Sequence, residues 1–169
     1  YVYTNTVTSD PITQAAFSRR DDNMGYRPEA NTRVSVIKKL QTGQELYRST
    51  YTIDKHHRRL TPAGSGEAPP NYVLFFGCSY TFGEGVNDDE TIPYYFSRLA
   101  TSHRSYNYGV SGYGTQHLHA RTQLGNLRSE IAEKDGMAIY LFLDDHVRRA
   151  INTMRSTWVH HSPYYFLAP

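Results

Sequence analysis

Ser79 is the residue of this chain best suited to covalent chemistry. It follows the apolar run Tyr72-Val73-Leu74-Phe75-Phe76 and the pair Gly77-Cys78, and it precedes Tyr80-Thr81-Phe82-Gly83-Glu84-Gly85. A continuous apolar run closed by glycine reads as a buried strand of a parallel sheet. Glycines at 77, 83 and 85 let the backbone turn sharply after it, so a serine there is presented to solvent. Its hydroxyl can attack an acyl carbon at neutral pH only with a base in reach. The plainer role is to cap the helix that follows. Cys78 neighbours the same helix start, which favours a thiolate; directly before the serine, however, it should point back under the turn as small buried filler.

Two further loops carry polar or conformationally free residues. Gly109-Val110-Ser111-Gly112-Tyr113-Gly114 is a sharp loop in which the amide of Gly112 can approach a developing negative charge, or simply close a tight turn. Asp144-Asp145-His146 ends a second apolar run, Met137 to Leu143, and also reads as an acidic cap on a following helix. His117 and His119 are two apart on a predicted helix, hence on different faces, and one cysteine makes no structural zinc site, so no metal is expected. The glycines lack the Lys-Ser/Thr of a phosphate loop, and no cofactor is implied.

The elements that must position these residues follow from periodicity. Ile92, Phe96 and Leu99 predict a short helix covering the sheet, with Pro93 in its first turn. Ser105 to Gly109 is the next strand, and Ala120, Leu124, Leu127 and Ile131 mark a longer helix ending near Lys134. Strand, helix, strand, helix, strand implies right-handed βαβ units and an α/β fold on a parallel sheet, with ligands beyond the carboxyl ends of the strands. Those ends carry Ser79, Gly112 and Asp144-Asp145-His146, so three loops converge on one rim. Upstream, residues 1–30 read as irregular structure lying over something else. Arg33 to Leu40 and Glu45 to Ile53 predict a hairpin about Gln41-Thr42-Gly43-Gln44. Thr61 to Pro70, with three prolines and two glycines, reads as the connection dividing an amino-terminal segment (1–70) from the main α/β domain (71–169).

The chain of 169 residues has room for one domain with a core, and its formal charge of +2 is spread among acids, naming neither nucleic acid nor an anionic membrane as partner. No apolar run approaches the roughly 18–20 residues of a membrane span. A single cysteine leaves the compartment open. The fifteen tyrosines read as amphipathic filler of an α/β core.

Gly77-Cys78-Ser79-Tyr80-Thr81-Phe82-Gly83 resembles the first block of the SGNH (GDSL-type) hydrolases, Gly-Asp-Ser-x-Thr-x-Gly, with Cys78 in the aspartate position. Asn107-Tyr108-Gly109-Val110-Ser111-Gly112 is similar to their second block, and Leu143-Asp144-Asp145-His146 stands where the third has Gly-x-Asn-Asp, with Asp145, or else Asp144, in place of the asparagine. The resemblance spans about residues 71–150. It implies a flavodoxin-like α/β/α three-layer sandwich, incomplete here because three strands are in view, and hence the amino-terminal part of a longer protein. It implies ester hydrolysis through an acyl-enzyme: Ser79 attacks, its own amide and that of Gly112 hold the oxyanion, and Asp145 occupies the third position of the hole. An ionised carboxylate there would repel the oxyanion. The family's catalytic Asp-x-x-His is expected outside this sequence. The literal match Asp54-Lys55-His56-His57 lies upstream of the serine, His160-His161 lack the aspartate, and His146 is a substitute base on the correct rim. Small-molecule or carbohydrate esters are the implied substrates. Polysaccharide O-acetyltransferases of the same fold, or a non-catalytic binding module, are the alternative readings.

Overall fold

The computed structural model describes residues 8–9, 19–62, 64, 68–151 and 162–163. In chain order these form β1 (Thr8–Ser9), β2 (Arg19–Asp21), β3 (Gly25–Arg27), β4 (Thr32–Lys39), β5 (Glu45–Ile53), β6 (Asn71–Phe76), α1 (Ser79–Phe82), α2 (Ile92–Leu99), β7 (His103–Asn107), α3 (Thr115–Leu124), β8 (Asp135–Tyr140) and α4 (Asp145–Ala150). Short 3₁₀ turns cover Asp88–Glu90 and Leu127–Glu130.

β6 is the central strand of a three-stranded parallel sheet ordered β7-β6-β8 among the described residues. Its apolar run is uninterrupted because both faces are covered. Phe75 meets Phe96 of α2 with ring centroids 5.3 Å apart. Leu74 and Phe76 join Tyr108, Ile131 and, from α3, Leu118 on the other side. The chain passes from β6 to β7 on one flank and then to β8 on the opposite flank, so the strand order reverses at the carboxyl end of β6. Open α/β sheets leave a ligand crevice at such a point.

The hairpin forms as expected: β4 and β5 pair antiparallel from Thr32↔Ile53 to Lys39↔Glu45. Gly43, at φ 86°, closes its turn by donating to Leu40 O at 2.9 Å. Part of the stretch expected to be irregular is instead ordered, since β2 and β3 make a two-stranded ribbon. Asp21 Oδ1 accepts from Asn23 N (3.0 Å) and Met24 N (2.7 Å) at its turn, local bonds that an Asp-Asp-Asn run supplies without hydrophobic periodicity. As expected, this segment lies over another element: Met24 and Tyr26 pack on Val110, Tyr113 and Ala120.

Three expectations are corrected. α2 is turned about a quarter revolution from the predicted face: Pro93 and Phe96 point inward while Ile92 (48 % exposed) and Leu99 (87 %) face solvent. Ser97 helps fix that rotation, its Oγ accepting from Ser105 N of β7 at 3.1 Å. α3 stops at Leu124 because Gly125 follows as its C-cap, so Leu127 lies in a 3₁₀ turn and Ile131 in extended chain. β8, expected to be buried, is largely exposed from Asp135 to Ala138; it is an edge strand among the described residues, and its apolar character does not bring a covering layer.

Arg59 joins the hairpin to the parallel sheet. Its backbone bridges Ile53 of β5 on one side and Asn107 of β7 on the other. Its fully buried guanidinium donates to Asp88 Oδ1 (2.6 Å), Val86 O (2.9 Å), Thr50 O (3.2 Å) and the carbonyls of Phe82 and Gly83 (3.3 Å each), and lies over the Tyr51 ring at 4.2 Å. Burial lowers its pKa, an effect opposed by Asp88.

Candidate active site

The turn after β6 is held by its own backbone. Gly77, at φ 152°, must lack a side chain, since a Cβ there would lie 2.1 Å from Thr81 Oγ1. Cys78 is the N-cap of α1 and makes no side-chain capping bond. The thiol is buried, as the filler reading requires. Ser79 is therefore the first residue inside the helix, not its cap. Its carbonyl accepts from Gly83 N (2.9 Å) and Glu84 N (3.0 Å), and its side chain is half-buried beside an open cleft with Tyr47, Tyr80, Glu84 and Val86.

The loop after β7 docks directly on this turn. Val110 N donates to Gly77 O at 3.2 Å, and Gly109 lies so close to α1 that a Cβ would meet Phe82 N at 2.5 Å. Tyr113 N donates to Val110 O at 3.0 Å, closing a turn in which Gly112 has φ 86°, a conformation side chains disfavour. Ser111 Oγ donates to Glu84 Oε2 at 2.9 Å, so the serine loop and the glycine loop are also joined through side chains. Asn107, fully buried, completes the junction. Its Nδ2 donates to Thr81 O (2.9 Å) and Phe82 O (3.3 Å), and its Oδ1 accepts from Gly109 N (3.0 Å). It heads the second block, where an asparagine at the end of a buried strand was the available signal. Arg59 carried none, since Arg58 and Arg59 are adjacent in a polar stretch.

The third loop reaches the same rim through α4. Leu141 N donates to Phe76 O at 2.9 Å, and Arg149 Nη1 donates to Tyr113 O at 2.7 Å. Asp144 has helical backbone angles and makes no capping bond. Asp145 is half exposed and faces Arg148 of its own helix at 3.9 Å. His146, read as a substitute base on the rim, is instead wholly buried. Its Nδ1 accepts from Leu143 N (3.3 Å) and lies 2.7 Å from Tyr140 Oη, and burial, then the charge of Arg149, lowers its pKa. Its Nδ1 is thus engaged within its own segment, and no hydrogen bond joins the ring to Ser79.

The upstream Asp54-Lys55-His56-His57 is structural. Asp54 Oδ1 accepts from His56 N and Arg58 N, its other oxygen pairs with Arg58 Nε at 2.8 Å, and His57 Nδ1 contacts Pro28 O. His160 and His161 lie outside the described residues. His117 is buried and His119 exposed, as their spacing requires, and no cluster of three or more potential metal ligands occurs among the described residues. His117 stacks on Tyr113 at 4.0 Å, and burial, Arg149 and His146 together push its pKa down to about 3.

Compared with known proteins, the chain matches no family model, and no curated protein matches it at a significant level. Among the described residues no helix is long and apolar enough to cross a membrane.

Proposed function

We propose that this chain carries the nucleophile and part of the oxyanion hole of an SGNH-type serine acyl-transfer enzyme acting on esters. One observation carries the reading: Ser79 opens the helix after the central parallel strand, where the strand order reverses, with the positive-φ Gly112 turn docked beside it. In this reading Ser79 Oγ attacks the ester carbonyl and the alkoxide leaves, giving an acyl-serine that water then hydrolyses. As the first residue of α1, Ser79 has a backbone N–H with no intrahelical acceptor, and with the amide of Gly112 it steadies the tetrahedral oxyanion. Asp145 takes no part in that hole, because its charge would oppose the oxyanion and it is drawn toward Arg148. The base is a histidine brought to Ser79 from outside the described residues, among which none is hydrogen-bonded to it. The order β7-β6-β8 also favours a flavodoxin-like three-layer sandwich that further strands would extend from β8.

Tyr80, 68 % exposed, flanks the cleft with Tyr47 and offers ring faces on which a sugar can lie, which favours an acylated carbohydrate as substrate or acceptor. The test is labelling of the full-length protein by a fluorophosphonate probe. Wild type labels and Ser79→Ala does not, and the variant loses ester turnover by roughly 10⁴-fold or more. Equal labelling of the two, or none of wild type, rejects the nucleophile. Acyl-donor turnover with and without added carbohydrate then separates hydrolase from transferase.

A further inference from the structure

The turn that carries Gly112 is held from outside by the β2–β3 ribbon. Tyr26 of β3 donates its hydroxyl to Ser111 O at 2.8 Å, and Tyr113 donates its own to Tyr26 O at 2.6 Å. The two rings meet edge to face, with centroids 5.3 Å apart. Burial raises the pKa of the Tyr26 phenol, so it keeps its proton and remains a donor at neutral pH.

Ser111 O belongs to the same peptide group as Gly112 N. With Tyr113 N bonded to Val110 O, Gly112 at φ 86° and Ser111 not at positive φ, residues 110–113 form a type II turn. A type I turn would keep the closing bond and differ by about half a revolution of that central peptide, reversing both its carbonyl and its N–H. Glycine tolerates either sign of φ, so Gly112 alone does not choose between them. A hydroxyl bonded to Ser111 O does choose. The peptide is trans, so the Gly112 N–H points away from Tyr26. That N–H donates to none of the described residues, and Gly112 is only half-buried, which leaves it open to a ligand. A bond accepted at the carbonyl also polarises the amide and strengthens its N–H as a donor.

We infer that Tyr26 is a positioning residue for acyl transfer: its hydroxyl locks the Ser111–Gly112 peptide so that the Gly112 N–H stays aimed at the oxyanion, an inference that rests on the role proposed above for Gly112. Tyr26→Phe tests it, since the ring and its packing on Tyr113 remain. A type II turn brings Ser111 Hα close to the Gly112 amide hydrogen and a type I turn separates them, so the nuclear Overhauser peak between the two is strong in wild type and weakens in the variant. Kinetics of the full-length protein give a second readout. On an oxoester kcat falls roughly tenfold with KM within about twofold, less than the loss of a donor itself would cost. The matching thionoester, whose sulfur accepts hydrogen bonds poorly, loses far less, so the oxo-to-thiono rate ratio collapses. Met24→Ala, which thins the same packing but spares the hydroxyl, keeps both the peak and the ratio. A weak peak in wild type, an unchanged peak in Tyr26→Phe, an equal fall on both esters, or the same changes in Met24→Ala would each overturn the assignment. Wild type inactive on both esters, with the peak still lost in Tyr26→Phe, would instead strike the acyl-transfer reading and leave Tyr26 as the lock on the turn.

Discussion

Burial of His117 has a consequence that acid reveals. Its folded-state pKa of about 3 lies below the ordinary 6.5, so the unfolded chain binds the extra proton between those values. Stability from this group is whole above about pH 6.5 and drains away as pH falls toward 3, with a slope approaching about 1.4 kcal/mol per pH unit. His146 is shifted in the same direction and adds to it. Urea unfolding at pH 7, 6 and 5 should show this decline, and His117→Gln should flatten part of it; a free energy unchanged from pH 7 to 5 would mean that the ring is not held neutral. At this scale the sequence was legible where backbone geometry leaves a mark. Glycines flanking Ser79 and surrounding Gly112 announce turns, and both turns are where they were expected. Polar burial leaves no such mark. Whether Arg58 or Arg59 goes fully inside depends on carbonyls contributed by β5 and by residues 82–86, and the inward turn of His146 depends on Tyr140 and Leu143.

Among the elements, α2 separates pattern from packing most clearly. Hydrophobic spacing located the helix, yet Thr91 as N-cap and the bond from Ser105 N to Ser97 Oγ rotate it so that Phe96, not Leu99, meets the sheet. Phe96→Ala should cost about 2–3 kcal/mol by removing the ring that packs on Phe75, whereas Leu99→Ala should stay within about 0.5 kcal/mol. Chemical denaturation of the two variants decides between the faces, and equal losses would restore the rotation that spacing alone suggests. The hairpin and all three parallel strands could be read from apolar runs and turn residues. Their ends, the length of α3 and the exposure of β8 could not, because these depend on what lies alongside.

For the molecule as a whole, Arg59 is the fastening between the β4–β5 hairpin and the parallel sheet. Replacing it with methionine strands Asp88 in a largely buried place and frees the carbonyls of Thr50, Phe82, Gly83 and Val86, so a loss of about 3–5 kcal/mol is expected. Arg59→Lys should rescue little, since one ammonium cannot reach acceptors spread around a planar fork. Equilibrium unfolding of both variants measures this, and near-wild-type stability of the lysine variant would show that charge alone suffices. That a guanidinium from the stretch between β5 and β6 grips the loop after α1 left no mark in the sequence.

The register of β6 also sets a timetable. Asn71 is matched to His103 on one flank and to Asp135 on the other, whereas β4 and β5 find each other across a tight turn. Closing the longer loops costs more entropy before any bond rewards it. On a ribosome, the ribbon preceding Ser79 can zip while the strand beneath that serine still waits for both neighbours, so the Ser79 hydroxyl gains its surroundings only after most of its scaffold has been made.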